Sequence, residues 1–151
     1  MKNKEKNKNI KIAIVACKTN KFTNEKLLKG AVEALETIGK IKRKNIKIIW
    51  IPGSYDIPLI SKLLAKKKTY KSIIVISTII KGETSQYKYI SYVCLKNISN
   101  ISIKYNIPIT SAILITETLE QAINRSGMKQ GNKGYEAAIS SIDLINTINN
   151  L

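Results

Sequence analysis

The residues whose types could do chemistry fall in a few short segments. Lys81-Gly82-Glu83-Thr84-Ser85 has the make-up of a strand-to-helix turn, where unpaired N–H groups, hydroxyls and the helix dipole favour an anion. Helix capping alone would also explain it. Ser126 to Gly134 carries three glycines and two lysines and follows Arg125, one of only two arginines in the chain. Glycine permits close backbone approach and a guanidinium grips phosphate through two parallel hydrogen bonds, so a phosphate loop and a plain turn are both open there. Pro52 to Pro58 (PGSYDIP) is a turn in which Asp56 is expected to cap a helix. Its alternative use is as a ring of N–H groups with Tyr55 at a ligand's edge.

What the chain lacks narrows the chemistry further. There is no histidine, which removes the usual proton shuttle and the commonest metal ligand. Cys17 and Cys94 stand far apart with no Cys-x-x-Cys, and read as buried thiols of a reduced cytosol. No metal is expected.

These segments must be positioned by regular elements, and the hydrophobic pattern supplies them. Ile12–Cys17, Ile46–Ile51, Ser72–Ile80 and Ile109–Ile115 are short apolar runs rich in β-branched residues, the mark of strands buried on both faces. Between them the apolar spacing predicts helices: Asn24–Ile38, ended by Gly39; one capped by Asp56 with Leu59, Leu63 and Leu64 inward; and one over 86–104 with Tyr89, Val93, Ile98 and Ile101 inward. A short helix is expected over 117–125, a loop over 126–134, and a final helix over 135–148 with Ala138, Ile142 and Ile145 on one stripe. Strands alternating with helices mean an α/β fold, an open parallel sheet covered on both faces. Ligands of such sheets sit at the carboxyl ends of the strands, here residues 18–22, 52–58, 81–87 and 115–118.

With 151 residues, 44% apolar and 24% charged, the chain is expected to be one soluble domain, residues 11–151, preceded by a flexible basic arm over 1–10. The arm has no apolar stretch of a secretory signal, and no run approaches the roughly 18 apolar residues of a membrane span, so a cytoplasmic protein without a membrane partner is expected. The net charge of +16 raises nucleic acid as a partner. However, 24 of the 26 basic residues are lysine, and the arm has neither aromatic platforms nor a recognition motif, so no nucleic-acid role is expected. Ile, Lys and Asn fill 67 of 151 positions, all with A/T-rich codons, which points to a base-biased coding sequence.

In this order, LLKGAVEAL (27–35), IPGSYDIP (51–58), IIKGETSQYKYI (79–90), ITETLEQAINRSG (115–127) and GNKGYEAA (131–138) resemble the lumazine synthase family. The resemblance implies a flavodoxin-like three-layer fold with a four-stranded parallel sheet, assembling into pentamers or larger shells. It implies a transferase of riboflavin biosynthesis. The reaction condenses 5-amino-6-(D-ribitylamino)uracil with 3,4-dihydroxy-2-butanone 4-phosphate to 6,7-dimethyl-8-ribityllumazine, without a cofactor. Carried over by position, Glu83 (through its N–H), Thr84 and Arg125 hold phosphate. Ser54, Tyr55 and Asp56 with Thr78, Ile79 and Ile80 hold the pyrimidine and ribityl chain, and Lys133 lies near the phosphate leaving group. The site lies between adjacent subunits.

The departures from the family concentrate at the site. The family's stacking aromatic after the first strand is Thr19, a second aromatic of many bacterial members is Ser111, and the catalytic histidine is Gln86. The Arg before the glycine of that motif is Lys81. A stacking aromatic is worth roughly 1–3 kcal/mol and general acid–base catalysis about 10²–10⁴-fold. Neither loss is fatal where the substrate amine is itself the nucleophile and the enzyme's main task is to hold two reactants together. The expectation is therefore a slow but functional synthase, with a non-catalytic relative kept for assembly or ligand binding as the alternative.

Overall fold

The computed structural model describes residues 9–127 and 131–151. Most of the basic arm and Met128, Lys129 and Gln130 of the glycine-rich segment lie outside the described residues. Ile10, assigned by the sequence to the arm, is buried in the core.

Four parallel strands, β1 (Ile12–Cys17), β2 (Ile46–Ile51), β3 (Ser72–Ile80) and β4 (Ile109–Thr116), lie in the order β2-β1-β3-β4. The first three have the bounds their apolar runs indicate, and β4 extends one residue further, to Thr116. All of β1 and nearly all of β3 are buried, because they are the two central strands and have helices on both sides. On one face Ile12, Ile14, Ile74, Ile76 and Leu114 pack against α1 (Lys21–Thr37) and α5 (Lys133–Asn149). On the other, Ala13, Val15, Ile73, Val75 and Ile113 pack against α2 (Ile57–Lys66) and α3 (Gln86–Tyr105). Successive strand residues point to opposite faces, so one apolar run feeds both cores. The short α4 (Leu119–Asn124) is capped by Thr118, whose hydroxyl accepts the Gln121 N–H while Gln121 Oε1 accepts the Thr118 N–H. Among the described residues no helix is long and apolar enough to cross a membrane.

Several sequence expectations are corrected. Helix α1 starts at Lys21 rather than Asn24, since Asn20 takes the left-handed conformation that turns the chain and Asn24 is fully buried one turn inside. Gly39 does not supply the left-handed stop. Lys40 does, at φ 55°, while Gly39 sits where a Cβ would come within 2.8 Å of the Leu35 carbonyl and 2.9 Å of Ile142. Asp56 stands at the start of α2 without capping it; its carboxylate takes the Gly53 N–H at 3.1 Å instead.

Two helix faces are also reassigned. Leu59 and Leu63 are 62% and 49% exposed, and α2 buries Ile57, Ser61, Leu64 and Ala65. On α3 Tyr89 and Val93 are 71% and 42% exposed, while Cys94 and Ile98 are buried and Tyr87, Ile90 and Ile101 pack beside them. Finally, Lys133 and Gly134 belong to α5, not to the preceding loop.

Candidate functional site

The chain runs from β1 outward to β2, returns to β3 on the other side of β1, and continues to β4, so its direction across the sheet reverses between β1 and β3. A cleft of about 420 Å³ opens at the carboxyl ends of those two strands, where crossovers leaving in opposite directions part the backbone. Three segments meet in it: Thr19 and Asn20 after β1, Gly53, Ser54 and Tyr55 after β2, and Thr78 to Gln86 at the end of β3 and the start of α3. Tyr87 and Ile90 of α3 form the apolar wall.

Amides and hydroxyls, with Asn24, Ser77 and Thr78 buried, fix the floor. Asn24 of α1 donates from Nδ2 to the Cys17 carbonyl at 2.8 Å and the Thr19 carbonyl at 2.9 Å, and its Oδ1 accepts the Thr78 hydroxyl at 2.8 Å. Asn20 donates to the Thr78 carbonyl at 2.8 Å. Together they tie the ends of β1 and β3 to the start of α1, so the loop after β1 has little freedom. Ser54 and Ser77 share a hydrogen bond at 2.5 Å beside Cys17. Burial raises the Cys17 thiol above its ordinary value, opposed by hydrogen bonds from Ser77 and Ser54 and reinforced by the Asp56 carboxylate. Burial, with a smaller contribution from Cys17, pushes Cys94 up to about 12. Both thiols are protonated at neutral pH and neither is a nucleophile there.

At the rim, Thr19 turns its hydroxyl back to the Pro52 carbonyl at 3.0 Å. Tyr55 is 78% exposed and presents its ring to the cleft from the turn after β2. Gln86 is the first residue of α3, its N–H directed at the Thr84 hydroxyl at 3.3 Å. No acidic residue occupies the first turn of that 20-residue helix, so its positive end is left open to an anion.

Of the sequence-predicted site residues, Thr19, Ser54, Tyr55, Thr78, Ile79, Ile80, Thr84 and Gln86 line this one cleft. Asp56 buttresses it through Gly53, and Glu83 sits in the turn between two lining residues. Ser111, Arg125 and Lys133 do not line it. Ser111 lies on β4, two strands away from β1, with its hydroxyl accepting the Ile113 N–H. Arg125 and Lys133 flank the glycine loop beyond α4, where the Lys133 N–H donates to the Arg125 carbonyl at 3.0 Å.

Sequence reasoning missed Asn24 and Ser77, which shape the cleft without touching its opening. The only signal for Asn24 is a polar residue on the apolar stripe of α1, at the spacing of Leu27, Leu28 and Ala31. Among the described residues no group of three His, Cys, Asp or Glu could hold a metal ion.

The sequence profile of the family described as 6,7-dimethyl-8-ribityllumazine synthase matches residues 9–149. A protein of that name from Buchnera aphidicola subsp. Baizongia pistaciae is 48% identical over 138 residues, covering 91% of this chain and 87% of its own. Those from Buchnera aphidicola subsp. Schizaphis graminum and Yersinia pestis (strain Pestoides F) are 45% and 39% identical, covering 95% and 93% of this chain and 91% and 90% of theirs.

Proposed function

The chain belongs to the 6,7-dimethyl-8-ribityllumazine synthase family, and we propose how its own residues perform that synthase activity in riboflavin biosynthesis. The substrates are 5-amino-6-(D-ribitylamino)uracil and 3,4-dihydroxy-2-butanone 4-phosphate. The 5-amino group attacks the ketone and water leaves to give an imine. Loss of inorganic phosphate gives an enol that tautomerises to a ketone, and attack on it by the ribitylamino nitrogen closes the ring with loss of a second water. No step needs an oxidant, and each needs only proton transfers and a fixed pose.

The pyrimidine lies in the cleft against Tyr55, with Ser54 and the Thr78–Ile80 edge of β3 holding its polar rim and Asp56 keeping the turn in shape. The phosphate sits at the start of α3 against the Glu83 N–H and the Thr84 hydroxyl. Arg125 and Lys133 come from a neighbouring copy of the chain, as does Ser111, where many relatives carry an aromatic. Assembly into pentamers or larger shells brings the two half-sites together.

The observation that carries this reading is that eight of the expected residues, from three separate carboxyl-end segments, line one cleft at the reversal point of the sheet. Exposed Tyr89, Val93, Leu59 and Leu63 give the second copy an apolar surface to cover. Gln86 can hydrogen-bond but cannot exchange a proton at neutral pH, so turnover is slow and protons travel through water or the substrate phosphate.

Mixing purified protein with both substrates and following lumazine absorbance tests the activity. A rate no greater than the uncatalysed background refutes this reading, and tight binding of the pyrimidine without product would mark a ligand-holding relative instead. Sharing of the site is tested by mixing Tyr55→Ala and Arg125→Ala chains during refolding. Mixed assemblies containing some intact sites should regain activity that neither variant shows alone, and no recovery refutes a shared site.

A further inference from the structure

Resting on the assignment of Arg125 to the phosphate, we propose that Asn132 is a positioning residue for both cations of the phosphate grip. Its carboxamide is used at three points, on α1, on α5 and in the loop after α4. Nδ2 donates to the Lys26 carbonyl of α1 at 3.0 Å and to the Ser126 carbonyl at 3.3 Å, and Oδ1 accepts the Tyr135 N–H, capping α5, at 3.0 Å. Its backbone bridges Ser126 in antiparallel fashion, and beside that bridge the Gly127 N–H reaches the Gly131 carbonyl at 2.8 Å. Arg125 and Lys133 are the two residues immediately outside this closure, joined by the Lys133 N–H to the Arg125 carbonyl. The backbone of each is therefore fixed relative to α1 through one side chain.

Gly30 leaves room for that side chain, and Gly134 lets α5 approach α1 beside it. A Cβ on Gly30 would lie 2.4–2.6 Å from three atoms of the Asn132 carboxamide, and one on Gly134 would lie 1.9 Å from the Leu27 carbonyl. Helix α1 thus presents a notch where its carbonyl at Lys26 is reachable from outside, and Asn132 fills it. A residue serving only as a helix cap would need neither the notch nor the two donations, since serine or aspartate caps equally well.

Kinetics of the assembled full-length protein with each substrate varied in turn test this, using Asn132→Ser and Asn132→Asp. Both retain a capping oxygen and lose the carboxamide NH2 that reaches the Lys26 and Ser126 carbonyls. The expected result is a rise of about five- to thirty-fold in KM for the phosphate substrate, the loss of one or two net hydrogen bonds, with KM for the pyrimidine within about twofold. The inhibition constant of inorganic phosphate should rise in parallel. A phosphate KM that does not move in folded variants, or equal rises in both KM values, overturns the proposal.

Gly30→Ala keeps Asn132, and as an exchange inside a helix it favours α1, yet its new Cβ displaces the carboxamide. It should reproduce the selective KM rise, and a folded Gly30→Ala protein with native kinetics overturns the proposal independently of how the Asn132 variants fold. Arg125→Ala separates the two levels. If it leaves the phosphate KM unchanged, the phosphate assignment itself fails; if it raises that KM while the Asn132 and Gly30 variants do not, only the positioning role fails.

Discussion

On the proposed reading, in which Gln86 stands at the position of a catalytic histidine, Gln86→His should raise turnover and bring a new pH dependence. Gln86 opens α3 at the edge of the cleft and is exposed, so an imidazole there displaces no core residue. The positive end of the helix costs an imidazolium roughly 0.3–1 kcal/mol, which lowers its pKa from about 6.5 to about 6. At pH 7.5 more than about nine-tenths would be the neutral base. General acid–base catalysis contributes about 10²–10⁴-fold when the group is locked in place. Gln86 is exposed and its side chain would not be held so firmly, so a gain of about 10- to 100-fold in kcat is expected, roughly 1.4–2.7 kcal/mol from the barrier.

The native chain contains no histidine, which makes the assay unusually clean. Lumazine formation followed from pH 5.5 to 9 should show, in Gln86→His alone, activity rising with pH through about 6 as the imidazole loses its proton. A kcat unchanged from native together with superimposable pH profiles would refute the reasoning, and would mean that the site has been rebuilt around the missing base.

Thr19→Phe gives up an exposed hydrogen bond to Pro52 and offers a stacking ring worth roughly 1–3 kcal/mol. It should lower the dissociation constant of the pyrimidine by about 5- to 100-fold in equilibrium titration, and unchanged affinity would show that Tyr55 already provides the stacking. Gly134→Ala drives a methyl into the Leu27 carbonyl, and parting α1 from α5 should cost about 1–3 kcal/mol or more in urea unfolding. An unaltered midpoint would contradict the close helix contact. Cys94 remains protonated to about pH 12 when folded but only to about 9 when unfolded, so above pH 9 the unfolded state binds fewer protons and folding stability falls. The slope from this one thiol approaches roughly 1.4 kcal/mol per pH unit between 9 and 12, and Cys94→Ala should flatten the alkaline limb by that amount.

The strands were legible because β1 and β3 are buried on both faces, which demands uninterrupted apolar, β-branched runs that no helix face resembles. The helix faces were not. On α2 and α3 two adjacent rows are apolar, and periodicity locates a stripe without saying which row the sheet covers. Leu59 and Tyr89 carry the same sequence signal as Leu64 and Cys94 yet lie on the outside, where the proposed neighbouring copy has a use for them. Asn24 shows the converse: a polar residue that the spacing marks only as the first residue of a helix is the hub that joins β1, β3 and the loop after β1.

The sequence by itself determined the family, the order of strands and helices along the chain, and which loops follow the carboxyl ends of the strands, since these depend on residue type and local spacing. It also put a glutamine, Gln86, where the resemblance implies the catalytic histidine. Only the tertiary structure decided that three of those loops converge on one cleft while Ser111, Arg125 and Lys133 stand apart from it. Convergence depends on strand order and on hydrogen bonds between residues distant in the chain, such as Lys26 with Asn132 and Thr78 with Asn24. Those contacts are set by how helices seat on the sheet, a property of the packed chain that no local pattern encodes.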